Sequence, residues 1–155
     1  MTKRVQIGDV FEVRTNTGLA YFQLTNQLED YGSVVRVFDH VWAERPSSLE
    51  KIERMPVRFV TCVTLDGALK RGEIVKVSNR PIAPENQAVP LFRYGIPHPQ
   101  TRRVTEWFLW EPGDKYTPIA FLTPEHRKLP IIGTWNIIML KERIEEGWTP
   151  QTDER

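Results

Sequence analysis

The chain has a single cysteine, Cys62, and no apolar run approaching the roughly 20 residues that a membrane-spanning helix needs. A lone thiol forms no intrachain disulfide. Cys62 lies between Thr61 and Val63 in a β-branched run with no helix N-terminus beside it to lower its pKa, so it reads as a small buried hydrophobe and not as a nucleophile. An excess of one charge is also missing: 21 basic residues stand against 20 acidic ones, in both halves of the chain. That balance leaves no electrostatic footprint for nucleic acid, which is not expected as a partner. There is no phosphate-cradling glycine loop, no His-Glu-x-x-His helix and no cysteine pair for zinc. His40, His98 and His126 are isolated from one another, and His98, set between Pro97 and Pro99, has no acid or thiol at ligand spacing. Neither metal nor cofactor is expected. The opening Met1 to Gln6 is charged and runs into Gly8-Asp9 instead of an apolar segment, which is not the pattern of a secretory signal. A cytoplasmic location without membrane association is the resulting expectation.

What the chain does have is 155 residues, 40% of them hydrophobic, with five Trp and seven Phe. Such a length suits one domain that buries roughly 70% of the surface of its unfolded chain. One domain over residues 1–155 is expected, with the polar tail 149–155 frayed. Period-two alternation on both sides of Thr15-Asn-Thr-Gly18 predicts a hairpin. In its second strand Ala20, Phe22 and Leu24 share the core face, which turns Tyr21 and Gln23 toward a surface or groove. A third strand over Ser33–Phe38 sets Val35 and Val37 against Val34, Arg36 and Phe38. An arginine among such neighbours has to be paired or to snorkel, and Glu12 and Asp9 are the candidate partners. At the Gly8-Asp9 turn, a positive φ at the glycine and backbone bonds to the Asp9 carboxylate account for both residues.

Farther on, Pro46-Ser-Ser-Leu49 predicts a short helical turn, Val57–Leu65 a buried strand, and Glu73–Ser78 another strand. Five of the twelve prolines fall between Asn79 and Arg103. They predict a long ordered loop around Leu91-Phe-Arg-Tyr94. Val104–Trp110 resumes the sheet with large apolar side chains on both faces, as a central covered strand would. The clearest helix is Thr134–Glu146, with Ile137, Leu140 and Ile144 on one face, Thr134 as N-cap and Gly147 as its stop. The fold class expected is α+β, mostly β: a strongly curved antiparallel sheet or partly open barrel with a C-terminal helix packed on it.

No nucleophile and base combination stands out, and exposed aromatic and charged side chains are the composition of protein-recognition patches. The candidate partner-binding residues are Asp9, Tyr21, Gln23, Arg36, Trp110 and Glu111. The segments Ile7-Gly-Asp-Val-Phe-Glu-Val13, Gly18-Leu-Ala-Tyr-Phe-Gln-Leu-Thr25, Tyr31-Gly-Ser-Val-Val-Arg-Val37 and Trp107-Phe-Leu-Trp110 resemble the bacterial immunity protein 26 family. The resemblance implies a non-catalytic protein that neutralises a cognate polymorphic toxin by direct binding, and it leaves the toxin unnamed. Two alternatives stay open. One is a small-molecule or nucleic-acid binding barrel with the proline-rich segment as lid, and the other a small hydrolase using Asp9, Glu12 or Glu106.

Overall fold

Thr15-Asn-Thr-Gly18 closes the first hairpin as the alternation predicts. The Thr15 hydroxyl donates to the Gly18 carbonyl at 2.9 Å and accepts from the Thr17 amide at 3.2 Å. Gly18 has φ 135°, and a Cβ there would stand 2.5 Å from the Trp42 carbonyl oxygen, so both backbone shape and close approach call for glycine. The hairpin joins β1 (Asp9–Thr15) to β2 (Gly18–Leu28), and β2 pairs in turn with β3 (Gly32–Trp42). In this computed structural model, which describes residues 4–155, the three strands are the middle of a six-stranded sheet. Its other members are β4 (Val57–Val63), β5 (Val75–Asn79) and the two-residue β9 (Thr134–Trp135), in the order β5-β1-β2-β3-β4-β9. All pairings are antiparallel except β4 with β9. The fold is α+β with strands predominating, and the sheet stays open.

One face of the large sheet carries the main core. Phe11 and Val13 of β1, Ala20, Phe22 and Leu24 of β2, and Val35 and Val37 of β3 point into it, each at most 1% exposed. Their partners come from α2 (Asp66–Lys70) and above all from α4 (Ile137–Glu146), which contributes Ile137, Leu140 and Ile144. The i, i+3, i+7 spacing lays those three side chains along one stripe of the helix. Its N-cap is Asn136, whose side chain accepts from the Met139 amide at 2.8 Å; Thr134, the expected cap, is taken up by β9. Gly147 ends the helix in the left-handed conformation, φ 72°. Beyond it Trp148 packs edge-on against Phe59 and Trp135.

The tail expected to fray is built into the structure. Residues Pro150–Thr152 form a 3₁₀ turn, Pro150 is buried, and Asp153 accepts from the Trp148 indole N–H at 3.1 Å. The segment 92–97, expected as loop, is strand β6 (Phe92–Pro97). Its prolines fall only at or beyond the ends of the strand, which leaves the Phe92–Ile96 interior free to pair. With β7 (Val104–Glu111) and β8 (Lys115–Ile119) it makes a separate three-stranded meander, β6-β7-β8. The tryptophan strand is therefore central, but in this second sheet and not in the first. The two sheets meet where Phe92, Trp110 and Ile132 pack on Val34, Val60 and Cys62. The helix α1 (Glu50–Glu53) covers the other end of that same face, setting Ile52 on Leu19, Tyr21 and Phe38.

Candidate functional site

Along β2 the alternation does turn Tyr21 and Gln23 away from the main core, but the second face of the large sheet is itself covered. Tyr21 is 0% exposed, packed edge-on to Trp42 at 5.5 Å beside Ile52, with its hydroxyl donating to Glu12 Oε2 at 2.7 Å. Burial and the Glu12 carboxylate both push the Tyr21 phenol upward. Glu12 is held below the usual carboxylate range, first by its hydrogen bonds from Arg45 and, against the effect of its own burial, by that from Tyr21. Gln23 is 4% exposed and donates its amide to the carbonyls of Gly8 and Arg80 at 3.2 and 3.0 Å.

Arg36 is 6% exposed and pairs with neither Glu12 nor Asp9. It donates to the Ala88 carbonyl at 2.8 Å and to the Thr25 hydroxyl at 3.4 Å. Asn26 does the same for the Gln87 carbonyl at 2.9 Å. Gln23, Asn26 and Arg36 thus form a row of donors under residues 80–88. A chain with prolines at 81 and 84 has few amides to give, and its carbonyls need partners when covered. The sheet supplies them, and the strap hides Gln23 and Arg36.

Asp9 is also internal. It is 0% exposed, accepts from the Gln6 amide at 2.8 Å and the Asn79 side chain at 2.9 Å, and pairs with Lys76 at 3.0 Å. Gly8 beside it has φ 94°, the turn geometry that the Gly-Asp pair predicts. Of the six residues expected at a recognition patch, Asp9, Tyr21, Gln23, Arg36 and Trp110 are covered by the chain itself. Glu111 alone is half-buried at the surface, where it pairs with Lys115 at 3.5 Å.

The open ground lies on the small sheet. Register places Trp110 between Phe92 and Tyr116, and Phe108 between Tyr94 and Pro118, on one face. Phe92 and Trp110 are roofed by Tyr31 and the large sheet. Along the next row and at the β8 edge the cover thins: Tyr94 and Phe108 are half-buried and Tyr116 is 42% exposed. Tyr94 meets Tyr116 at 5.3 Å and Phe108 at 6.3 Å, so the three rings form one cluster.

Acids stand beside this cluster. Asp114 is at the β7–β8 turn in the left-handed conformation, φ 54°, and accepts from the Trp110 indole at 3.3 Å. Asp30 lies close enough for hydrogen bonding to Asp114 and for its charge to raise the Asp30 carboxyl. Neither Asp30 nor Asp114 has an ion-pair partner among the described residues. Trp110 and Glu111, two of the expected residues, border this region. Tyr94, Phe108, Tyr116, Asp30 and Asp114 are additions to the set. Their signal in the sequence is the aromatic at every second position of Phe92-Arg-Tyr94 and Phe108-Leu-Trp110, with the Gly113-Asp114 turn between strands.

The remaining chemical groups are placed structurally. Cys62 is fully buried, and burial pushes its thiol up to about 12. His98 Nδ1 accepts from the amides of Gln100 and Thr101, and His126 completes with Thr123 the capping box of the short helix α3 (Pro124–Arg127). No group of three or more His, Cys, Asp or Glu among the described residues is placed to hold a metal ion. No helix among them is long and apolar enough to cross a membrane. Comparison with family models, curated proteins and solved structures found no match for this chain.

Proposed function

We propose that the protein is a non-catalytic binding protein that neutralises a cognate bacterial toxin by direct contact, docking it on the open face of the small sheet. The observation that carries this reading is the Tyr94, Phe108 and Tyr116 cluster, part exposed and flanked by Asp30 and Asp114, neither of which has an ion-pair partner among the described residues. Tyrosine at the centre of a patch is a frequent binding hot spot, and strands hold it at little ordering cost. Two acids crowded together are relieved by a cation, so a basic surface on the partner complements them. The resemblance to the immunity protein 26 family supplies the class of partner.

Co-expression with the toxin encoded beside this protein's gene tests the reading. A one-to-one complex that abolishes toxicity is expected. If the neighbourhood holds no toxin gene, or the two proteins elute separately, the proposal fails.

A further inference from the structure

On the Arg93 side of the small sheet, a cleft of about 1170 Å³ opens between the β6–β7 hairpin tip and the end of α4 with the C-terminal turn. Four arginines line it: Arg102 and Arg103 from the hairpin, Arg143 from the helix and Arg155 from the tail. Two backbone hydrogen bonds close the hairpin tip. His98 donates its amide to the Arg103 carbonyl and accepts from the Arg102 amide through its own carbonyl, both at 2.8 Å. These bonds hold Arg102 at φ 61°, a left-handed backbone that arginine seldom adopts. Both Arg102 and Arg103 are exposed and have no ion-pair partner among the described residues.

The opposite wall is mostly self-compensated. Arg155 forks onto Asp153 at 2.9 and 3.0 Å, and Arg143 pairs with Glu146 at 3.1 Å, leaving Glu154 as the lining acid without such a partner among the described residues. Arg143 Nε is buried with no hydrogen-bond acceptor among the described residues. Behind this wall Arg93, 0% exposed, stacks on Trp107 at 4.5 Å and gives one donor to the Pro150 carbonyl at 2.7 Å. Its Nε and Nη1 have no hydrogen-bond partner among the described residues. Burial lowers its pKa to about 10, so it remains a cation at neutral pH and adds to the positive field of the cleft.

We propose that the cleft binds a small polyanion, a molecule bearing two or more phosphate or carboxylate groups, with Arg102 and Arg103 as its anchors. Guanidinium forks match both kinds of oxyanion, and charge-assisted pairs of this type are the strong ones. The volume is above the range of roughly 300–1,000 Å³ typical for small-ligand sites, which leaves room for a ligand larger than one phosphate. The residues lining the site are not those of the aromatic cluster, so its test does not require the toxin.

Calorimetric titration of the full chain with pyrophosphate, and separately with citrate, at matched ionic strength tests it. Saturable one-site binding of at least one is expected; pyrophosphate alone would mark a phosphate ligand and citrate alone a carboxylate one. The double variant Arg102→Gly/Arg103→Ala should weaken that binding at least tenfold. Glycine suits the left-handed position, so its melting temperature without ligand should move by less than about 2 °C. Binding of neither probe, or equal binding by the double variant, would overturn the proposal. Should the double variant melt early, Arg103→Ala alone replaces it, with a loss of affinity again expected and unchanged affinity again fatal.

Discussion

Tyr21 on the large sheet and Tyr116 on the small one are both strand tyrosines set edge-on to another aromatic ring, yet one is 0% and the other 42% exposed. The difference comes from what crosses each sheet. The second face of the large sheet has α1 at one end, the small sheet at the other and the strap 80–88 between, pinned by Gln23, Asn26 and Arg36. On the aromatic face of the small sheet Phe92 and Trp110 are roofed, while Tyr94 and Phe108 are half-buried and Tyr116, on the β8 edge, is exposed. Polar residues on a strand therefore have two meanings. On the first sheet they are donors to a strap short of amides; on the second, Asp30 and Asp114 beside the open face have no ion-pair partner among the described residues.

The largest effect that would break this contrast is at Tyr21. Tyr21→Ala removes a fully buried ring and should lower stability by about 3–5 kcal/mol in urea denaturation. A variant as stable as the parent would put Tyr21 at a surface instead. Arg36→Ala comes next. It withdraws a charged donor from the Ala88 carbonyl, and about 2–3 kcal/mol of stability should go with it. Hydrogen exchange should rise around Gln87 to Val89 and not in β8; uniform change in both would mean that Arg36 does not pin the strap.

A smaller effect is expected at the C-terminal turn. Burial works to raise the Asp153 carboxyl, but the bonds from Arg155 and Trp148 outweigh it and hold it at about 2, below the ordinary 3.8. A carboxylate depressed in the folded state contributes stability that is complete above about pH 4 and lost as pH falls toward 2. That contribution is about 2 kcal/mol, and Asp153→Asn should flatten the stability profile across this window. An unchanged acid slope in the variant would show that the tail is not held through Asp153.

Local pattern was enough to read the hairpin at Gly18, the core face of β1 to β3, the burial of Cys62 and the stripe of α4. Each of these depends on neighbours a few residues away or on a period of two or 3.6. What pattern could not carry was cover. Gln23 meets Arg80 57 residues away and Arg36 meets Ala88 at a separation of 52, so no alternation in β2 or β3 marks those side chains as inward. The prolines at 81 to 99 hid β6 for a related reason: they mark segments that cannot donate, and β6 fits between them. The second sheet, and with it the open aromatic face, follows from that strand.

The most direct test is the affinity of Tyr116→Ala for the co-expressed toxin, measured by calorimetry beside its melting temperature. With 42% of Tyr116 exposed, stability should fall by less than about 1 kcal/mol while binding weakens at least tenfold, about 1.4 kcal/mol. Parental affinity in a folded Tyr116→Ala protein would contradict the assignment of the partner to the small sheet.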